Sequence, residues 1–86
     1  MDLKEQLSDL CHEQWSGWMK YLFSKCKKNE DGTVTIPKDL VERWERQVAT
    51  PYAELSKGEQ DSDRKEADKF MKVLDKSEEN IEEIFN

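Results

Sequence analysis

The chain has 86 residues, of which 40% are charged and 35% hydrophobic, and a formal net charge of -6. That length allows one domain, which buries only about 60–65% of its unfolded surface and so has modest stability unless copies associate. The acidic balance disfavours binding to duplex nucleic acid, and no apolar run approaches the roughly 20 residues that a membrane span needs.

The first element is the most strongly patterned. Apolar residues fall at Leu3, Leu7, Leu10, Cys11, Trp15, Trp18, Met19, Leu22, Phe23 and Cys26, in alternating steps of three and four, the period of a helix face. Asp2, with Glu5 three residues on, supplies a capping box, and Lys25, Lys27 and Lys28 suit the negative end of the helix dipole. A helix is therefore expected over about residues 2–27. Gly17 lies between Trp15 and Trp18. A glycine inside a helix costs about 1 kcal/mol against alanine, so another element is expected to pack over it, or a ligand to approach it. Cys11 and Cys26 are some 22 Å apart along such a helix, too far for a disulfide, and read as reduced cysteines of a cytosolic protein. The first residues are charged and amphipathic, unlike a signal peptide.

Residues 29–36 form a loop or short hairpin. Asp31-Gly32 is a turn signal, and Thr33 to Ile36 before Pro37 is extended in type. The stretch has the outline of a calcium loop. Its first and last ligand positions, however, would be Lys27 and Lys38, whose ammonium groups repel the ion, so no metal is expected. A second helix follows over about 37–49, with Pro37 in its first turn and Leu40, Val41, Trp44 and Val48 as its apolar face. Tyr52 and Leu55 are expected to pin the loop after it to the core.

Ser56 and Glu59 form a second capping box, opening a third helix over about 57–85. Its first turns are polar where Ala67, Phe70, Met71 and Leu74 are apolar. An inward Asp63 or Arg64 would need a partner, since an unpaired buried charge costs several kcal/mol; His12, Glu13, each other or a ligand phosphate are the choices. Beyond Leu74 the period continues through Ile81, Ile84 and Phe85. Residues 1–76 are expected to make a compact helical domain and residues 77–86 an extension. That extension either continues the third helix or breaks at Ser77, a competent cap. An amphipathic tail of this kind suits a partner helix, so self-association is an open outcome.

The chemistry offered is that of binding. A single histidine, His12, excludes the paired-histidine zinc helix, and no phosphate loop or dinucleotide glycine motif occurs. The carboxylates Glu42, Glu45, Glu59 and Asp63 resemble in spacing the metal-binding helices of all-α nucleotide pyrophosphohydrolases, a pattern common in acidic chains. Trp15, Trp18, Trp44 and Tyr52 can gather between three helices with His12, Arg43 and Arg64, where rings stack on a base and cations meet phosphate. Aromatic residues at helical spacing also build cores, and the rim of a core can serve as the site.

His12-Glu13-x-Trp15, then Pro51-Tyr52-x-Glu54-Leu55-Ser56-x-x-Glu59, then Asp63-Arg64 and Ala67, resemble the RyR domain, the repeat of ryanodine receptors, in its small stand-alone prokaryotic and phage version. The resemblance covers roughly residues 12–74. In the middle the chain departs from the family: Trp18, Tyr21 and Arg43-Trp44-Glu45-Arg46 stand where the family has a Gly-Trp-x-Tyr-Gly segment and a lysine-rich approach to the proline block. What the resemblance implies is a compact helical module that binds a ligand or partner, with nucleotides as plausible ligands.

The expectation is thus an all-α domain of three main helices, cytoplasmic (in the host cytoplasm if viral). Its function is non-enzymatic binding of a nucleotide-type ligand without a cofactor, through His12, Trp15, Trp18, Arg43, Tyr52 and Arg64, in a phage protein that sequesters a host immune signal. The alternative is a protein-interaction adaptor, phage or host, docking through its amphipathic helices.

Overall fold

The computed structural model describes the backbone of residues 2–85 and the side chains of residues 2–76. It is predominantly helical: α1 (Leu3–Lys25), α2 (Lys38–Ala49) and α3 (Lys57–Phe85), with a two-strand hairpin of β1 (Lys27–Lys28) and β2 (Val34–Thr35) between the first two helices. A single 3-10 turn, Tyr52–Glu54, precedes α3. The three main helices match the expected ranges to within two residues. The helical period also runs on past Ser77 without a break. The side chains of Ile81, Ile84 and Phe85, on which docking by the tail would rest, lie outside the described residues.

Each boundary has a local cause. The Asp2 carboxylate accepts from the Glu5 amide at 2.8 Å and caps α1. At α3 the capping box is reciprocal: the Glu59 amide donates to Ser56 Oγ at 3.2 Å, and the Ser56 amide donates back to Glu59 Oε1 at 3.3 Å. α1 stops at Lys25, two residues short of the expected end, because Lys27 and Lys28 pair antiparallel with Thr35 and Val34. The turn of that hairpin is closed by the Asn29 amide donating to the Thr33 carbonyl, and Gly32 takes a φ of 91° there, a conformation natural to glycine. Asp31, read as a calcium-loop position, accepts from both the amide and the hydroxyl of Thr33. That hydroxyl bond holds its carboxyl below the usual range. Its oxygens organise the turn.

The helices make a thin slab of 59 × 34 × 16 Å with a radius of gyration of 17.9 Å, against about 12 Å for a compact chain of this length. Beyond the hairpin, the most extensive packing between elements is α1 along α3. α2 is held to the other two by side chains, Trp44 edge-on to Tyr21 of α1 and Arg46 to Glu59 of α3. No described residue is buried. The stripe on α1 does not close over a core: Trp15 and Trp18 are each 57% exposed. Gly17 has open space where a side chain would begin. No element packs over it, so the expected close approach is absent, and its position does not repay its helix cost within the chain. No helix among the described residues is long and apolar enough to cross a membrane.

Candidate functional site

Where α1, α2 and the start of α3 converge they leave an open groove of about 560 Å³, within the range of small-molecule sites. α1 contributes Trp18, Tyr21 and Leu22, α2 contributes Arg43, Trp44 and Gln47, and the first turns of α3 contribute Ser56, Gly58, Glu59 and Ser62. The Tyr21 and Trp44 rings stand 6.5 Å apart at 62°, forming one corner. Trp44 also lines a shallower apolar depression with Ile36, Val41, Glu45 and Val48. Trp44 is therefore shared by the two hollows.

Charge in the groove is decided by two arginines one helical turn apart. Arg46 Nη2 donates to Glu59 Oε2 at 2.9 Å, while Glu59 Oε1 accepts from the Ser56 hydroxyl at 2.9 Å. The Glu59 side chain is only 11% exposed. Arg46 first, then Ser56, holds its carboxyl below the ordinary glutamate range. Both of its oxygens are thus engaged in closing the cap and joining α2 to α3. Arg43 makes no hydrogen bond or ion pair among the described residues. Glu59 being neutralised by Arg46, the uncompensated charge at the groove is the Arg43 guanidinium, a fork suited to phosphate or carboxylate.

A pH effect follows from Glu59. Its lowered folded value means that its contribution to stability is fully present above the unfolded carboxylate range and is lost as pH falls through the folded value. Melting temperature is expected to be level from about pH 7 to 5 and to fall below roughly pH 4. Glu59→Gln, which cannot ionise, should start lower at neutral pH and lose less on acidification; an equal acid slope in the two proteins would refute this role.

Of the six residues predicted from sequence, the groove gathers two, Trp18 and Arg43. His12 and Trp15 form a separate pair, ring centroids 6.0 Å apart and nearly stacked, with Ser16 Oγ 3.5 Å from the imidazole. Tyr52 and Arg64 form another, the guanidinium 6.0 Å from the ring centroid. The expected inward turn of Arg64 toward His12 and Trp15 is corrected here. Arg64 is half exposed and donates to Asp61 at 2.8 Å, one turn back on its own helix, which together with Tyr52 raises its pKa. Asp63, the other residue expected to turn inward, is exposed. The polar start of α3 is satisfied locally, so it needs no buried partner. Tyr52 is held through its carbonyl, which accepts from Gln60 Nε2 at 2.9 Å, and the residue is 47% exposed. Sequence reasoning missed Tyr21, Leu22, Gln47 and Ser62 as lining residues. The available signal was the position of Tyr21 and Leu22 one turn after Trp18.

Comparison with protein families, characterised proteins and solved structures finds no match.

Proposed function

We propose that this chain is a non-enzymatic binding module whose ligand seat is the groove between α1, α2 and α3, and that the ligand is a planar, anionic, nucleotide-type molecule. The observation that carries this reading is the unpaired Arg43 guanidinium beside the rings of Trp18, Tyr21 and Trp44. Aromatic faces take a base of any sequence, and a free guanidinium takes its phosphate. The resemblance to small RyR-type proteins supports the same class of ligand. In that reading the protein is a phage product that withdraws a signal nucleotide from its host in the cytoplasm. A binding role is also supported by the engagement of Glu59, which leaves the carboxylate best placed in the groove tied to Arg46 and Ser56.

The test is a melting-temperature panel of adenine nucleotides and cyclic dinucleotides, followed by native mass spectrometry. A ligand present at about 100 times its Kd adds about 2.7 kcal/mol to stability, which is a rise of roughly 10 °C or more for a domain of this size. No shift with any ligand at about millimolar concentration would sink the proposal.

A second reading is a protein-interaction adaptor, and one observation favours it. Large apolar side chains stand exposed on all three helices, among them Phe23, Val48 and Met71. For that role, loss of a captured partner on deleting residues 77–86 is the expected result if the tail takes part.

A further inference from the structure

α1 carries a second apolar stripe that the groove does not use. Cys11, Trp15, Met19, Phe23 and Cys26 recur in steps of four, four, four and three, which confines them to an arc of about 120° on the helix. The arc is centred roughly a quarter-turn from the face that Trp18, Tyr21 and Leu22 present to the groove. Three of its five residues are exposed, Trp15 at 57%, Phe23 at 47% and the free thiol Cys11, while Met19 and Cys26 are half-buried. We infer that this stripe is the interface of a two-fold symmetric dimer, in which α1 of a second copy of this chain packs antiparallel against it with the crossing near Trp15 and Met19.

Two observations select a second copy. The accessible surface of one chain is 7354 Å², whereas a compact monomer of this mass exposes about 5300 Å². The excess, about 2000 Å² spread over the whole slab, exceeds the roughly 800 Å² that each partner contributes to a standard stable interface. A chain this extended therefore has surface enough for a second copy to cover. The second observation is the division of charge along α1. Its cap Asp2 and Glu5, Asp9 and Glu13 stand at its first half against a single lysine, Lys4. Its second half has no carboxylate and carries Lys20 and Lys25, with Lys27 and Lys28 of β1 just beyond its end. An antiparallel pair places each acidic half beside the basic half of the partner; a parallel pair would set like charges together. The same crossing brings Trp15 over the partner's Met19 and Cys11 toward the partner's Phe23.

The proposal goes beyond the ligand reading and is tested without ligand. Sedimentation equilibrium of the full chain at tens of micromolar should give twice the 10.2 kDa chain mass. Trp15→Glu should reduce it to one chain. Orientation is read by oxidising the double variant Cys26→Ser, Phe23→Cys and mapping the linked peptides. A disulfide between Cys11 of one copy and position 23 of the other is expected, because Cys11 and its own counterpart are then about 18 Å apart along the paired helices. A wild-type chain that sediments as a single copy overturns the dimer and leaves the stripe to a foreign partner. Links joining Cys11 to Cys11 overturn the antiparallel arrangement. Neither result bears on nucleotide binding in the groove, which the melting panel tests separately.

Discussion

Trp44→Ala is expected to lower the melting temperature by about 10 °C. Trp44 lines both the interhelical groove and the depression with Ile36, Val41 and Val48, and its ring meets Tyr21 edge-on. Truncating a fully buried tryptophan costs about 3–5 kcal/mol, and this one is half-buried, so a loss of about 2 kcal/mol is reasonable. A domain of this size shifts by roughly 4–8 °C for each kcal/mol. The effect is large because α2 has few other ties: apart from this ring, the Arg46–Glu59 ion pair is the side-chain bond that holds it to α3. Thermal unfolding followed by circular dichroism checks the result. Trp18→Ala is the control, since Trp18 is 57% exposed and should cost much less. Equal losses in the two variants would mean that Trp44 does not hold α2 in place.

Arg43→Ala is expected to weaken the proposed nucleotide-type ligand by about ten- to a hundredfold while leaving the melting temperature of the free protein nearly unchanged. A hydrogen bond to a charged group is worth about 1.5–3 kcal/mol, which sets that range. Stability is spared because Arg43 has no partner among the described residues whose loss would be felt. The neighbouring Arg46 behaves in the opposite way. Arg46→Ala removes the bond to Glu59 and should destabilise the fold, with affinity falling only as the groove loosens. Isothermal titration with the ligand found in the melting panel, paired with unfolding curves, separates the two arginines. If Arg43→Ala binds as tightly as the wild type, the guanidinium is not the phosphate contact and the groove is not the seat of that ligand.

The same logic extends to the residues outside the groove. Residue type alone groups His12, Trp15, Tyr52 and Arg64 with Trp18 and Arg43. In the folded chain they form two local pairs, His12 with Trp15 and Tyr52 with Arg64. Substitutions there should leave affinity in the groove nearly untouched, although in the proposed dimer Trp15→Glu should separate the copies.

What the sequence determined by itself was local. The three helices were legible because a period of 3.6 and the caps at Asp2 and Ser56 act within a few residues of one another. The continuation of α3 past Ser77 was also visible in its period, and the hairpin in Asp31-Gly32. The tertiary structure decided which faces meet. Trp15 and Trp18 are three residues apart, about 60° round one helix and roughly 5 Å along it, and Trp18 lines the groove while Trp15 does not. Arg64 had a nearer acceptor in Asp61 than any group on α1, so its charge was satisfied without turning inward. An apolar stripe specifies that something must cover it. Whether the cover is the same chain or another depends on how helices cross, and in α1 the crossing with α3 leaves half of the stripe uncovered.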